Sequence, residues 1–315
     1  MSLEIISIKS YLPRTFETLK NLKKTNFGWD IDKIYSSTGI NKRYCSSKNE
    51  DVISLSIKSA KKVLNKNNRS KIGFLLVVTQ TSPYKLPSTA CIIQNKLNLP
   101  NNIFAADINM GCSGFIYALK LAEKLLDKSK KNLGLIICCD TYTKYIKKNN
   151  KSCRPIFSDA SSTTLLKKNR SSIIGPFDFG VDGSGYKDLF LKNSSNNIFM
   201  NGPKIAIFTL NKIPEFINNF IIKNKIPKEK IKLIALHQAS KYVCKKIEKK
   251  LNLNKKIFYN NFEKVGNAVS ASIPILLESA FKEKKIKKND TIIACGFGVG
   301  LSWGITKIKW TQKKQ

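Results

Sequence analysis

Residues 102–139 read NIFAADINMGCSGFIYALKLAEKLLDKSKKNLGLIICC, and this stretch contains the pattern that decides the fold. Two short apolar runs, Asn102–Ile108 and Leu133–Cys139, are typical of buried strands. Between them the apolar spacing of Ser113–Leu126 predicts a helix, with Gly111 in the turn before it. The order strand, helix, strand indicates a βαβ unit.

A similar series returns in the second half of the chain. Besides a further strand at Ile72–Thr79, the predicted elements are strands Ile231–His237, Lys256–Asn260 and Thr291–Cys295 and a helix at Ser270–Lys282. Cys112 and Asn267, 155 residues apart, both stand where a loop meets a helix, and the strand residues Phe74 and Leu233 are 159 residues apart. These offsets predict a diverged internal duplication and an α/β fold with mostly parallel sheets, although two ordinary βαβ series could also resemble each other by chance.

The two halves are predicted at residues 1–168 and 169–315. The polar, basic stretch Leu166–Ser172 is the expected joint. No low-complexity linker separates the halves, so we expect them to share a packed interface.

The composition excludes several classes of protein. The chain has 315 residues, a formal net charge of +35 and a hydrophobic share of 42%, which argues against a disordered polycation. Lysines spread along the whole chain are less typical of a nucleic-acid interface than clustered Lys and Arg would be. We therefore expect a solvated basic surface, in keeping with A/T-rich coding, that could attract an acidic partner but no nucleic acid.

Targeting and cysteine patterns point to the cytoplasm. The N-terminus lacks the basic and apolar regions of a secretory signal. The longest apolar runs are far shorter than the ~20 residues that span a bilayer. The eight cysteines include no CxxC pair, and Cys138 and Cys139 are adjacent, so reduced thiols are expected rather than disulfides or a zinc ribbon.

Cys112 is the candidate nucleophile. It lies in Asn109-Met-Gly-Cys-Ser-Gly-Phe115, at the predicted start of a helix. The helix dipole and unpaired backbone N–H groups there favour a thiolate. Cys112 could equally be a small residue that fills a tight turn.

Three further features carry possible chemistry. The only histidine, His237, ends a predicted strand, where open α/β sheets gather ligands, although a lone histidine is more often structural. Asn267 could be a functional amide or a helix N-cap. The glycines of Gly296–Gly304 could expose N–H groups as an oxyanion hole or form an ordinary turn.

Taken together in order, these motifs resemble the beta-ketoacyl-acyl carrier protein synthase III family of the thiolase superfamily. The resemblance covers nearly the whole chain. It rests on Thr38-Gly-Ile-Asn-Lys-Arg43, Leu86-Pro-Ser-Thr-Ala-Cys-Ile-Ile-Gln94, the Cys112 motif, Phe157-Ser-Asp-Ala160, Asp182-Gly-Ser-Gly185, Met200-Asn-Gly202, His237-Gln-Ala, Gly266-Asn-Ala-Val-Ser-Ala-Ser-Ile-Pro274 and Gly298–Gly304.

The resemblance implies a five-layered α/β/α/β/α fold made of two related halves, and a homodimer. It implies that Cys112, His237 and Asn267 form the catalytic set of the initiating, decarboxylating type. The Cys-His-His set of elongating synthases would need a second histidine, which this chain lacks. The backbone N–H groups of Cys112 and Gly300 are the implied oxyanion hole.

The implied reaction belongs to fatty acid biosynthesis. An acyl group passes from coenzyme A to Cys112 and then condenses with malonyl-acyl carrier protein as CO₂ leaves. Coenzyme A and the carrier's phosphopantetheine enter as substrates, and neither a cofactor nor a metal is expected. The alternative is an acyltransferase of a specialised surface-glycan or secondary-metabolite pathway, which passes the acyl group to another nucleophile.

Several substrate-binding positions depart from the family pattern. Lys33 and Lys151 align with the Trp and Arg that flank the coenzyme A adenine, and lysine does not stack as they do. Ser240 replaces an Asn that contacts pantetheine. Asn201 and Gly202 lie in another substrate-binding motif, and Leu86 is expected in the acyl tunnel by family position. These departures favour a specialised acyl donor, or a donor bound to a carrier protein, over routine priming with acetyl-coenzyme A.

Overall fold

The computed structural model describes residues 2–128, 130–169, 173–192 and 195–312. The strands are β1 (Ser2–Tyr11), β2 (Phe16–Thr18), β3 (Lys42–Tyr44), β4 (Ile72–Val78), β5 (Phe104–Ile108), β6 (Leu133–Asp140), β7 (Ala160–Asn169), β8 (Ile174–Val181), β9 (Leu189–Phe190), β10 (Phe199–Met200), β11 (Ile231–Leu236), β12 (Thr291–Gly298) and β13 (Ser302–Lys309). The α-helices are α1 (Leu19–Thr25), α2 (Ile31–Thr38), α3 (Val52–Ala60), α4 (Lys66–Arg69), α5 (Thr89–Lys96), α6 (Gly114–Lys128), α7 (Gly202–Lys223), α8 (Lys241–Leu251), α9 (Phe262–Val265) and α10 (Ser272–Lys282).

Two large sheets repeat one strand order. The first runs β1-β7-β6-β4-β5 and the second β8-β13-β12-β11. Matching strands pair in the same sense, because β6–β4 and β12–β11 are parallel while the other two matching pairs are antiparallel. A single parallel bridge from Ile234 to Phe258 stands where β5 lies in the first sheet. The duplicated architecture is therefore present in the structure.

Two details of the predicted strands are wrong. Of the seven pairings within these two sheets of the described chain, four are antiparallel, because β7 and β13 return beside the parallel strands. Residues 256–260 do not form a strand. The Asn254 side chain accepts a hydrogen bond from the Lys256 N–H and caps a 3-10 turn at Lys255–Ile257. Within the predicted strand, Phe258 alone then pairs with the sheet, through the bridge to Ile234.

The core confirms five layers. Alternate residues of β4 point to opposite faces, as strand geometry requires: Leu75 and Val77 pack outward with α3 and α5, and Phe74 and Leu76 pack inward. The inward cluster also contains Leu119 of α6 and residues of α10 and of the second sheet. On the far side, β11 and β12 pack against α7 and α8. The layers are α3/α5, first sheet, α6/α10, second sheet and α7/α8.

The duplication equates Cys112 with Ser270 rather than with Asn267. A 3-10 turn precedes α6 at Gly111–Ser113, and a matching turn precedes α10 at Val269–Ala271. Gly111 and Val269, the first residue of each turn, both have φ of 49°. Ser270 lies 158 residues after Cys112, the same offset that separates the starts of β6 and β12.

The division at residues 168 and 169 falls inside β7 and stays a prediction. The expected joint extends through residues 170–172, which lie outside the described part of the chain. Within that part, no helix has both the length and the apolar character that crossing a bilayer requires.

Candidate active site

A cavity of about 390 Å³ brings the predicted catalytic set together. Cys112, His237 and Asn267 all line it, and so do Gly202 and Ser240. The three catalytic candidates are 5%, 2% and 4% exposed, so their chemistry takes place away from bulk water. The cavity therefore joins residues that come from both halves of the duplicated fold.

Cys112 lies on the 3-10 turn that leads into α6. Gly298 at the end of β12 leaves room for the thiol, because a Cβ there would come within 2.9 Å of the Cys112 Sγ. Burial raises the pKa of the Cys112 thiol to about 12, hydrogen bonding from the Val299 backbone opposes this, and the charge of Asp140 adds to it. The expected resting thiolate is therefore corrected: the buried side chain rests as a thiol and must lose its proton as it reacts.

The amide that reaches the sulfur belongs to Val299 and not to Gly300. Hydrogen bonds from the backbone of Val299 and of Cys112 itself are the interactions that favour the thiolate. Val299 also packs in the apolar cluster around Cys112. The oxyanion-hole role expected of the Gly300 N–H stays a prediction, and the Val299 N–H beside the thiol is a second candidate for it. Val299 is thus a candidate site residue that the glycine run alone did not single out.

His237 follows β11 and is fixed through its backbone. Its N–H donates to the Cys295 carbonyl at 2.9 Å, and its ring meets the Phe297 ring edge-on at 5.6 Å. Burial lowers the pKa of the His237 imidazole to about 3, so the ring is neutral at physiological pH. Nδ1 is buried and has no hydrogen-bond partner among the described residues. A neutral imidazole has one nitrogen that accepts and one that donates a hydrogen bond, so His237 can act as a base or as a donor in the cavity that it lines.

Asn267 presents a defined amide. Its backbone N–H donates to the Ile156 carbonyl at 3.0 Å, and its carbonyl accepts from the Ser158 N–H at 2.8 Å. Its side-chain Oδ1 accepts from the Val269 N–H at 2.9 Å. Because the oxygen is taken, the Nδ2 donors are the group that Asn267 can offer to a substrate. Asn267 is not the N-cap of α10, which begins at Ser272 after Ala271.

Asp140 is a buried carboxylate behind the site that sequence reasoning overlooked. It accepts hydrogen bonds from the Ser270 hydroxyl at 2.5 Å and from the Gln80 N–H at 2.8 Å. Burial raises the pKa of Asp140 to about 6, and the hydrogen bonds from Ser270 and Gln80 oppose this rise. Asp140 thereby joins the end of β6 to the turn that follows Asn267. In the sequence, the feature that could have pointed to Asp140 is its position directly after Cys138–Cys139, at the end of a predicted strand.

Among the other predicted substrate residues, Gly202 and Ser240 line the cavity and the rest do not. Ser240 is the N-cap of α8, and its hydroxyl accepts from the Val243 N–H. Lys33, Lys151 and Leu86 are exposed, and Leu86 is 82% exposed. Asn201 is the N-cap of α7, and its side chain accepts a hydrogen bond from the Lys204 N–H. Their roles stay predictions.

Comparison with known proteins agrees with this arrangement. Residues 106–183 match the family model of 3-oxoacyl-[acyl-carrier-protein] synthase III, and residues 221–310 match its C-terminal model.

Two curated relatives and one solved structure extend the match to nearly the whole chain. The beta-ketoacyl-[acyl-carrier-protein] synthase III of Clostridium perfringens strain SM101 is 34% identical over 97% of this chain and 98% of its own. That of Oceanobacillus iheyensis is 30% identical over 98% and 99%. A 3-oxoacyl-(acyl-carrier-protein) synthase III crystal structure superposes with a TM-score of 0.94 at 28% identity, covering 98% of this chain and 100% of the other. The chain therefore belongs to the beta-ketoacyl-acyl carrier protein synthase III family of the thiolase superfamily.

Proposed function

We propose that this protein is a beta-ketoacyl-acyl carrier protein synthase III that starts fatty acid synthesis. The observation that carries the proposal is the shared cavity of Cys112, His237 and Asn267, in which the amide donors of Asn267 are free. The names of the relatives support the same reaction. In this reaction an acyl group is transferred twice, first to sulfur and then to carbon.

In the first half-reaction Cys112 attacks the carbonyl carbon of an acyl thioester. The sulfur–carbon bond to the enzyme forms, the bond to coenzyme A breaks, and coenzyme A leaves as a thiol with the proton that Cys112 gives up. Because Cys112 rests as a thiol, a base must take that proton, and neutral His237 in the same cavity is suited to this. The N–H groups of Val299 and Cys112 stabilise the oxyanion.

In the second half-reaction a malonyl thioester replaces coenzyme A. Its carbon–carboxylate bond breaks, CO₂ leaves, and the electron pair spreads onto the thioester oxygen as an enolate. The Nδ2 donors of Asn267 and an N–H of His237 stabilise that oxygen. The enolate carbon then attacks the acyl-Cys112 carbonyl, the new carbon–carbon bond forms, and the bond from that carbonyl carbon to the Cys112 sulfur breaks. The sulfur leaves as a thiolate and takes up a proton from solvent, because the proton that Cys112 first carried has left with coenzyme A.

The cavity wall suits the slender arm that carries both thioesters. Met200, Ile205, Ala206 and Phe297 make much of this wall apolar, and Ser240 stands near the start of α8. Lys33, Lys151 and Asn201 lie outside this lining, where they could hold the adenine nucleotide or its phosphates. Coenzyme A and a carrier-bound donor share the pantetheine arm, so this wall serves both.

A basic groove beside the cavity is the docking surface that we propose for the acidic acyl carrier protein. Exposed Lys241, Lys245, Lys246 and Lys249 of α8 line it, and Tyr242 lines both the groove and the catalytic cavity. A negatively charged partner held by these lysines would have its arm next to the cavity. No nucleic-acid partner is proposed.

We propose a homodimer joined along β5. This strand pairs with β4 and ends the first sheet, so no strand in the described part of the chain pairs with its outer edge. Phe104 on β5 is 51% exposed, and Leu86 is 82% exposed. An exposed edge strand with large apolar side chains can pair with a strand of a second copy. All eight cysteines are free, as a reducing compartment would keep them, and the cytoplasm is the compartment we propose.

Intact-mass spectrometry tests the nucleophile. Wild type incubated with acetyl-coenzyme A should gain one acetyl mass, and Cys112→Ser should gain no thioester. The control Cys91→Ser changes an exposed cysteine away from the cavity and should label as wild type does. Full labelling of the Cys112→Ser protein would contradict the assignment.

The same assay distinguishes the acceptor. Adding malonyl-acyl carrier protein to the acetyl-enzyme should remove the label, release CO₂ and yield a 3-oxoacyl carrier product. Loss of label only to an oxygen or nitrogen nucleophile would instead establish the specialised acyltransferase.

A further inference from the structure

Two cavities flank the apolar cluster around Cys112. The catalytic cavity is lined by Cys112 and not by Tyr142. A second cavity of about 360 Å³ is lined by Tyr142 and not by Cys112, and Leu189 lines both. Cys112, Tyr142 and Leu189 belong to one buried cluster. The Tyr142 side chain therefore lies in the wall between the nucleophile and the second cavity.

Tyr142 is held firmly in this wall. It begins the 3-10 turn after β6, and its side chain is almost completely buried at 5% exposure. Its hydroxyl donates to the Gln80 Oε1 at 2.6 Å. Its ring packs against the Phe157 ring with 5.0 Å between centroids. The hydrogen bond thus holds the hydroxyl of Tyr142 in place, and the aromatic contact holds its ring.

Gln80 connects Tyr142 to the turn of the nucleophile. Its backbone N–H donates to the Asp140 carboxylate at 2.8 Å, and its Nε2 donates to the Asn109 Oδ1 at 2.8 Å. A Cβ on Gly111 would come within 2.3 Å of the Gln80 Oε1, so the amide lies directly against the residue before Cys112. The Tyr142 ring is therefore anchored beside the place where an acyl group on Cys112 would begin.

The second cavity offers an apolar wall next to Tyr142. Tyr145, Leu191, Ile198 and Val299 line it, and all four belong to or pack on the same apolar cluster as Cys112. Polar residues, among them Ser82, Lys85, Ser195 and Asn196, make up much of the remaining lining. A hydrocarbon chain that passed the Tyr142 ring would find apolar surface on the Cys112 side.

We propose that Tyr142 sets the length of the acyl group that Cys112 accepts. Its ring closes the space beyond the nucleophile, so short acyl groups fit and longer chains collide with the ring instead of reaching the second cavity. The inference rests on the proposed acyl-enzyme, since it concerns the acyl group of that intermediate.

Competition between acyl-coenzyme A thioesters tests the proposal. The assay compares four proteins: wild type, Tyr142→Ala, Tyr142→Leu and Tyr142→Phe. Each is mixed with equal concentrations of acetyl- and octanoyl-coenzyme A, and intact-mass spectrometry follows over time which acyl group Cys112 has acquired. Wild type should acquire acetyl at least 10-fold faster than octanoyl. Tyr142→Ala and Tyr142→Leu should raise the octanoyl-to-acetyl ratio at least 10-fold. Tyr142→Phe keeps the ring and loses only the hydroxyl, so it should keep the wild-type preference.

The possible failures are distinguishable. No label on wild-type Cys112 from any thioester contradicts the proposed function. Equal labelling of wild type by the two thioesters overturns the role of Tyr142 alone, and this result needs no variant to fold. An unchanged ratio in both shortened variants, each shown to be folded by its thermal melting curve, also overturns it.

Discussion

At the scale of the residue, the usable amide of Asn267 depends on Val269. Val269 has φ of 49°, a left-handed conformation that a β-branched residue rarely adopts. In this conformation its N–H reaches the Asn267 Oδ1 at 2.9 Å. Backbone strain of this kind persists where the surroundings hold it in place, and it is common at functional sites. Here it fixes which end of the amide faces the cavity.

The variant Asn267→Asp should separate the two half-reactions. The carboxylate can still accept from the Val269 N–H, but it brings an oxygen and a negative charge to the place where the enolate forms. We expect decarboxylation of malonyl-acyl carrier protein to fall by about 10²-fold or more, as removal of one such donor does elsewhere. Acetyl transfer to Cys112, measured by intact mass, should fall much less. Equal losses in both assays would show that Asn267 serves the acylation step as well.

At the scale of the element, a buried charge cluster connects the paired strands β2 and β3 to the chain before β7. Glu17 of β2 forms ion pairs with Arg43 of β3 and with Arg154, and the two guanidinium side chains are only 7% and 9% exposed. Arg43 also donates to the Phe157 carbonyl. Burial alone would raise the pKa of Glu17, but the hydrogen bonds and charges of Arg154 and Arg43 hold it below 4.5. This cluster supports the Ile156–Phe157 backbone on which Asn267 rests.

Replacing Glu17 by Gln should destabilise the fold strongly, because two buried guanidiniums lose their carboxylate. The expected loss of unfolding free energy is about 3–5 kcal/mol. Since the folded pKa of Glu17 is lowered, the carboxylate stabilises the protein above pH 4.5, and that contribution disappears as the pH falls through the lowered pKa. The gap between wild type and variant should therefore narrow in acid. Urea unfolding at pH 7 and at pH 3–4 measures it.

Asp178→Asn is the control for that experiment. Its ion pair with Lys223 lies at the surface, where the lysine side chain is 67% exposed. The change should cost less than about 1 kcal/mol. A loss at Glu17 no larger than at Asp178 would mean that the buried cluster adds no specific stability.

The sequence predicted the parallel strands well because their apolar runs are continuous. β4 and β6 each end within one residue of the prediction, and α6 begins one residue later than predicted. The return strand β7 was not predicted, because four of its ten residues are Ser or Thr. These four residues are buried, and three of their hydroxyls bond to neighbouring elements: Ser59 of α3 bonds Ser161 and Thr163 at 2.8 and 2.6 Å, and Ser10 of β1 donates to Ser162 at 3.0 Å. A pattern based on hydrophobicity cannot distinguish such a strand from a polar loop.

The site was predictable where motifs are local. Cys112, His237 and Asn267 stand in ordered motifs and meet in one cavity. Val299 was not predictable, because which N–H of a glycine-rich turn faces the sulfur depends on the path of the backbone. Tyr142 was not predictable either, since its position depends on Gln80, 62 residues away along the chain.

At the scale of the whole molecule, the net charge of +35 acts on assembly in two opposite ways. In the proposed dimer, two copies that approach along β5 would repel each other, whereas the proposed acidic carrier protein would be attracted to the lysines of α8. Salt screens both effects over a Debye length of ~10 Å at 0.1 M. Added salt should therefore favour the dimer and weaken binding of the carrier.

The variant Phe104→Glu should give a monomer. It places a carboxylate on the exposed edge strand, where a second copy would bring another beside it. Sedimentation at 50 and 300 mM salt is expected to show a wild-type dimer that tightens with salt and a variant that stays monomeric. Phe27→Glu, a matched change at a side chain that is 92% exposed, should sediment as wild type does. A wild-type monomer at every concentration and salt would contradict the proposed dimer.

The repeated turn before α6 and α10 has a consequence for stoichiometry. Both turns share a backbone conformation and a helix start, yet only Cys112 opens onto the catalytic cavity. Its counterpart Ser270 is 1% exposed, and its hydroxyl donates a hydrogen bond to the Asp140 carboxylate. Of the two repeated turns, one therefore supplies a candidate nucleophile to the cavity and the other does not. If Cys112 is the nucleophile as proposed, each chain would hold one acyl group at a time, and the number of acyl groups bound in a saturated sample would count the competent chains.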